Sequence, residues 1–306
     1  MWKDEAPYWR VEGCPSKAFT TNETLVFMKD RTFYVMGNSV SRQVAFSMYE
    51  LLGGETVARE DQRDACPKYA KNWEGASCLR ERNGIKIKYL FKNNLNGFDS
   101  SLSYLRPDIF DLDHNGIPQL VEGVHLPSTV SVQHGNLNAY GHGHGLNDAC
   151  GNSTTLNCFQ TFFAGSKETD ILVFTLGFTY PLPDPDTEWE DRTTAVDTTA
   201  WLVDSAPIFK QYLEQSFKGT IVWVSIAPIK SSGAWNNPPM NDMLKRTNTL
   251  LWQLWRPRLE TRRKWIVIDQ WKINQGRDHL YRDEIHFPGP MSTATVFQFL
   301  TKFCQQ

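Results

Sequence analysis

No apolar run in the 306 residues is long enough to cross a membrane, and no Cys-x-x-Cys pair occurs. The first absence leaves no predicted span, and the second argues against a zinc ribbon. Net charge is nearly absent too: 32 basic residues against 34 acidic ones leave −2 with histidine neutral. That balance gives no electrostatic case for nucleic acid or an anionic membrane surface as a partner. Met1 to Arg10 is polar and aromatic and lacks the apolar segment of a signal peptide. No internal repeat is visible. The length itself suffices for one large α/β domain with a full core, spanning residues 1–306.

Cysteine is present where many intracellular chains would have little. The six are Cys14, Cys66, Cys78, Cys150, Cys158 and Cys304, mostly in polar, loop-like sequence. Cys66 with Cys78, and Cys150 with Cys158, each enclose a short segment that suits a local disulfide; the full connectivity stays open. Sequons occur at Asn22-Glu23-Thr24 and Asn152-Ser153-Thr154. The cysteine pattern predicts the lumen of the secretory pathway (ER or Golgi) or the exterior, with a signal or anchor that is not in this sequence.

Regular structure clusters at the two ends of the chain. An apolar strand over about Thr32 to Gly37 runs straight into Asn38-Ser39 and a helix with Val44, Met48, Leu51 and Leu52 at helical spacing. Gly37 permits a sharp turn there. Residues 55–84 are charged and polar, and Ile85 to Phe91 alternates lysine with apolar residues as a half-exposed strand. A long Asn-, Gly- and His-rich stretch over about 92–168 reads as an irregular insertion. Then come a buried strand at 170–177, a helix at 198–217, a strand at 219–227, a helix at 241–260, a strand at 264–271 and a closing helix at 291–304 capped by Ser292 or Thr293. Alternating strands and helices predict a mainly parallel sheet covered on both faces. Ser39, Gly177, Pro228 and the segment Asp283 to His286 all follow strand ends and would converge on one rim.

A serine where a buried strand meets a helix N-terminus is either a cap or a nucleophile set beside unpaired helix amides. Asp283-Glu284-Ile285-His286 near the other end supplies the remaining parts of an acyl-transfer triad. Three residues apart, a carboxylate can orient an imidazole within one turn. A Gly-Asn-Ser after the first strand and an Asp-x-x-His before the last helix follow the order of an SGNH-type serine hydrolase.

With these motifs the chain resembles the PC-esterase group. Gly37-Asn38-Ser39-x-x-Arg42-Gln43 is similar to its Gly-Asp-Ser-x-x-Arg-Gln block. That group includes the trichome-birefringence-like and sialic acid O-acetyltransferases and, most similar to this chain, the NXPE C-terminal domain. Leu176 to Pro183 resembles the Leu-Gly-Gln-His-Phe-x-x-Phe-Pro block of that domain. Ile268-Asp269-Gln270-Trp271 and Asp283 to Pro288 resemble its Ile-Asp-x-Trp and terminal Asp-x-x-His-Pro blocks. The likeness covers Thr24 to Asn94 and Asp170 to Cys304. It implies a three-layer SGNH/flavodoxin-like α/β fold, with Ser39 as nucleophile, His286 as base and Asp283 as its orienting carboxylate. The amides of Ser39 and Gly177 are the implied oxyanion donors. Two positions depart from the pattern: the block's Asp is Asn38, and the polar residue after Gly177 is Phe178. The expected reaction is acyl transfer or ester hydrolysis on a glycan or another acylated small substrate. No cofactor is required beyond an acetyl donor, such as acetyl-CoA, if the protein is a transferase. The alternative is a non-catalytic glycan- or protein-binding module on the same fold.

Other constellations stay open. Arg42, a turn beyond Ser39, is placed to bind a substrate carboxylate or phosphate or to form an internal ion pair. Asp111, Asp113, Asn115 and Glu122 fit the spacing of a calcium loop, but Pro107 and Pro127 replace the flanking helices, so an ordinary Asp/Asn/Gly turn competes. His134, His142 and His144 sit among glycines, as metal ligands or as a surface loop lining the acceptor pocket. Eleven tryptophans offer either sugar-stacking faces or core packing, among them Trp189, Trp201, Trp235 and Trp255.

Overall fold

The computed structural model describes residues 19–37, 39–55, 77–91, 155–175, 206, 209–230, 238–255, 265–283, 285–287 and 289–304, with short paired stretches at 10–11, 14–15, 110–112, 118–120, 130–133 and 136–139. The central sheet has six strands: β1 (Thr32–Gly37), β2 (Ser77–Arg82), β3 (Ile85–Phe91), β4 (Ile171–Phe174), β5 (Thr220–Val224) and β6 (Trp265–Ile268). Their order is β6-β5-β4-β1-β3-β2. All neighbours pair in parallel except β2, which runs antiparallel to β3 at one edge. The helices are α1 (Thr21–Met28), α2 (Ser39–Leu51), α3 (Thr155–Phe162), α4 (Pro238–Trp255), α5 (Gln270–Asn274) and α6 (Pro290–Cys304), with helical turns at 209–216. No helix among the described residues is long and apolar enough to cross a membrane.

The period-two alternation of the strands divides the apolar residues between two cores. Phe33, Val35, Val173, Val222 and Ile266 pack with α2 and α6 on one face. Tyr34, Met36, Phe174, Trp223 and Trp265 pack on the other with α3, the turns at 209–216 and the end of α4. This is the mainly parallel, three-layer α/β arrangement that the sequence predicts. The second core is strongly aromatic: Trp255 meets Trp223 edge-on at 5.2 Å and Phe174 at 5.4 Å. The chain leaves β1 toward β3 on one side, while β4, β5 and β6 build outward on the other. The reversal lies between β1 and β4, and in such sheets ligands bind beyond the strand ends at that point.

Several elements differ from the sequence reading. β2 lies in a stretch read as polar loop. Its turn into β3 is Asn83-Gly84, both with positive φ (51° and 75°), the tight hairpin signature. The charged run Arg80-Glu81-Arg82 masks it, because an edge strand tolerates charge on both faces. The irregular stretch expected over about 92–168 contains α3 and two short hairpins, at 110–112 with 118–120 and at 130–133 with 136–139. α3 extends the aromatic core through Phe159 and Phe162, but eight residues are too few for a clear period. The strand expected over 264–271 stops at Ile268, because the Asp269 carboxylate accepts the Lys272 amide and caps α5. α4 begins earlier than the expected 241 and is described to Trp255, with 256–260 outside the described residues, and 206 with 209–216 is the described helical part of the helix expected at 198–217. α6 starts at Pro290, where a missing N–H costs nothing, so Ser292 and Thr293 lie inside its first turn. Ser292 instead donates to the Phe287 carbonyl at 3.2 Å.

At the other end of the strands a buried carboxylate joins β1 to β4. Asp170, 2% exposed, accepts the Thr32 amide at 2.7 Å and the Lys167 amide at 2.8 Å. Its carbonyl accepts the Thr220 amide at 3.0 Å, so the starts of three strands meet at one residue. Gly219 passes this point so closely that a Cβ would collide with the Asp170 carbonyl. Burial, helped by the Asp170 charge, pushes the Tyr34 hydroxyl up to about 12.

Asp170→Asn must turn an N–H₂ toward one of these amides, and should lower the unfolding free energy by about 2 kcal/mol in urea melts. An unchanged midpoint would refute the clamp. Stability should also fall as pH rises from 10, where unfolded tyrosine ionises, toward about 12, because the folded Tyr34 keeps its proton longer. Tyr34→Phe should flatten that limb of the pH–stability curve.

Candidate active site

Ser39 is the first residue of α2, directly beyond β1. The approach is shaped by Gly37, whose φ is 145° and where a Cβ would collide with Ser41 Oγ and the Thr175 carbonyl. Only glycine lets β1 end this close to the end of β4 and still deliver the next turn of chain into a helix. Residues 40–48 of α2 are buried throughout, so the helix is held by packing on all sides and its first residue cannot wander. Its first-turn amides have no acceptor inside the helix.

His286 reaches Ser39 from the far end of the chain. Its Nε2 lies 2.7 Å from Ser39 Oγ. Its Nδ1 lies 2.9 Å and 3.0 Å from the two Asp283 oxygens. Asp283 Oδ1 also accepts the backbone amides of His286 at 2.8 Å and Ile285 at 3.0 Å, which fixes the carboxylate before it meets the ring. With Nδ1–H donated to the carboxylate, Nε2 is left to accept the serine proton. The imidazole is 13% exposed and the carboxylate 42%. The ring is therefore shielded while the carboxylate stays partly hydrated.

What holds this loop is a buried polar chain. Thr295 donates to Gln270 Oε1, Gln270 Nε2 donates to Asn274 Oδ1, and Asn274 Nδ2 donates to the Tyr281 hydroxyl at 3.0 Å. The Tyr281 hydroxyl then donates to the Pro228 carbonyl beyond β5. Burial pushes that hydroxyl's pKa up, which keeps it a donor. Ser225 Oγ accepts the Gln270 amide at 2.9 Å and ties α5 to the end of β5. The Tyr281 and Phe287 rings meet edge-on at 5.5 Å, and the Arg282 amide donates to the His286 carbonyl at 2.8 Å. Asp283 and His286 thus project from a loop pinned at both ends. Sequence reading missed Ser225, Gln270, Asn274 and Tyr281, since no local pattern marks residues that meet only through the fold.

Arg42 is 6% exposed. It lies near enough to Tyr89 that its charge counters the rise that burial imposes on the Tyr89 hydroxyl, which donates to the Gly37 carbonyl at 3.0 Å. The guanidinium therefore sits within the fold behind β1. Gln43 lies four residues from Ser39, buried, with neither carboxamide atom hydrogen-bonded among the described residues. Asn38, Gly177 and Phe178 lie outside the described residues, as do Cys66, Cys150, Asp113, Asn115, Glu122, His134, His142 and His144. Cys78 and Cys158 fall on β2 and α3 and Asp111 on a short hairpin strand, with side chains outside the description. Among the described residues, no group of three or more His, Cys, Asp or Glu side chains gathers to hold a metal.

No family model matches the chain, and no curated protein does. Among solved structures it is similar to a DUF4886 family protein from Bacteroides uniformis, with 10% identity over 89% of this chain and 82% of that one, and a TM-score of 0.37.

Tyr281→Phe keeps the ring contact with Phe287 but strips a donor from the Pro228 carbonyl and an acceptor from Asn274. Stability should fall by about 1–3 kcal/mol, and labelling of Ser39 by a fluorophosphonate should slow severalfold in protein that is still folded. An unchanged labelling rate would mean that the chain supports the fold without positioning the triad.

Proposed function

We propose that this protein is a serine-dependent acyltransferase or esterase that adds or removes an O-acetyl group on a carbohydrate hydroxyl. The observation that carries the reading is the hydrogen-bonded line from Ser39 through His286 to Asp283 at the sheet's switch point. The sugar and the acetyl group come from the resemblance to the PC-esterase group, and so does assignment as an SGNH-type enzyme. An acetyl donor such as acetyl-CoA belongs to the transferase version. The cysteine pattern supports work in the secretory lumen or outside the cell.

The chemistry follows from the residues. His286 Nε2 takes the Ser39 proton as Oγ attacks the acyl carbonyl carbon, forming the Oγ–C bond. Negative charge gathers on the former carbonyl oxygen, where the Ser39 amide and, from the resemblance, the Gly177 amide are the proposed donors. His286 returns the proton to the departing alkoxide as the ester C–O bond breaks, or to the departing thiolate as the C–S bond of a thioester donor breaks, which leaves acyl-Ser39. Water or a sugar hydroxyl then attacks, giving its proton to His286, and Ser39 is released with the proton restored. Asp283 holds the ring's tautomer and stabilises the imidazolium throughout.

On a panel of acetylated glycans, Ser39→Ala should remove acetyl release or transfer and abolish fluorophosphonate labelling. Asp283→Asn should lower kcat/KM by about a hundredfold or more while leaving a labelable serine, because the base persists but is badly oriented. Turnover undiminished in Ser39→Ala would reject covalent catalysis. A folded parent protein with neither turnover nor label would move the assignment to a binding module.

A further inference from the structure

Among the described residues β6 is the last strand of the sheet, and a groove of about 620 Å³ runs along its outer edge, between α4 on one side and α5 with α6 on the other. Its wall carries Trp252, 42% exposed and, with Val26, one of two large apolar side chains that stand out among the described residues. Trp252 is not loose. It stacks on the buried Trp223 at 6.4 Å with 30° between the rings, so its outer face is held flat. The half-buried Trp271 lines the same groove from α5.

The charges around these indoles are unbalanced. Among the described residues, Lys245, Lys272 and Lys302 line the groove, against Asp269 as the acidic one. Asp269 and Lys272 lie 3.8 Å apart with both side chains well exposed, a solvent-screened contact that leaves Lys272 able to meet a further anion, and the described lining carries two more positive charges than negative ones. A neutral apolar occupant would not use them.

The edge strand itself is guarded. In a parallel pair the backbone groups alternate between neighbour and open edge. Ile268 faces β5, since its carbonyl accepts the Ser225 amide at 2.9 Å, so Val267 faces the groove. Lys302 Nζ donates to the Val267 carbonyl at 2.5 Å and so occupies an acceptor that an added peptide strand would need. The groove therefore suits a ligand held by flat faces and by negative charge, not one held by main-chain pairing.

From these features we infer that the groove is an accessory binding site for an acidic carbohydrate chain, one that carries carboxylate or sulfate groups. The sugar's apolar face lies on Trp252 and its anions meet Lys245 and Lys272. The choice of carbohydrate rests on the function proposed for Ser39. Ser225, Asp269 and Trp271 put the groove's upper end at the same rim as Ser39, three strand spacings away, or roughly 14 Å. A chain with one residue at Ser39 would reach the groove with the residues that follow. The site would therefore select polymeric, charged acceptors over single sugars.

The test is a titration of the full chain, followed by calorimetry and tryptophan fluorescence, with an oligogalacturonate and with its fully methyl-esterified counterpart. The acid should bind and the ester bind much more weakly, with affinity for the acid falling as salt is raised. Trp252→Ala should weaken binding about tenfold, the scale of one lost stacking face. Lys245→Glu and Lys272→Glu, both exposed changes that leave packing alone, should each weaken it severalfold. Ser39→Ala should not change it. Equal binding of acid and ester, or affinity unmoved by both lysine variants, would overturn the inference. So would tighter binding of an oligothymidylate or a polyglutamate peptide. If Ser39 labels and turns over while no acidic sugar binds, the groove assignment fails and the enzyme reading stands. If binding is lost in the groove variants but Ser39 is inert, the groove assignment stands and the enzyme reading fails.

Discussion

The close passage of the backbone at Gly37 is the constraint on which the rest depends. β1 and β4 are neighbours, and at their ends the chain must turn from strand to helix in a space already filled by Ser41 and the Thr175 carbonyl. A side chain there would push α2 outward and carry Ser39 with it. Because α2 is buried on all sides, such a shift would have to move both the helix and its packing partners in the core. The nucleophile's position is thus a property of the sheet and its first helix, not of a flexible loop.

The base arrives by a different physical route. His286 and Asp283 sit on non-helical backbone, where packing alone would not fix a ring to within hydrogen-bonding distance. Direction comes from a run of buried polar groups linking α6, α5, the Tyr281 hydroxyl and the Pro228 carbonyl. A fully satisfied network of this kind is rigid, because every alternative leaves a buried donor or acceptor alone. Gln43 provides the contrast: its buried carboxamide makes no hydrogen bond among the described residues, and so it has no such anchor there.

Much of the site was legible in the sequence because its parts are local. Strand-Gly37-x-Ser39-helix and Asp283-x-x-His286 are each readable within a few residues, and the alternating pattern sets both at strand ends. The supporting chain was not legible, since Gln270, Asn274 and Tyr281 meet Pro228 and Thr295 only after the sheet has formed. β2 had a readable turn in Asn83-Gly84 but a misleading charge pattern. The capping role of Asp269 was hidden because an Ile-Asp-x-Trp run reads equally well as continued strand. Ser292 and Thr293 looked like caps by residue type, yet Pro290 had already set the start of α6.

The core layer over α2 and α6 and the layer behind it differ in their indoles, and this has an optical consequence. Trp223, Trp255 and Trp265 all lie in the second layer, with Trp252 stacked against it. Indole emission and near-ultraviolet dichroism from these rings therefore report chiefly on the side of the sheet away from the helix that bears the nucleophile. Among the described residues, partial loosening of α2 and α6 would register mainly at Trp271, which packs against the first layer. Agreement between an indole signal and a backbone signal during unfolding is then informative about coupling across the sheet: it would mean that the two layers melt as one cooperative unit, joined by strands that each contribute to both.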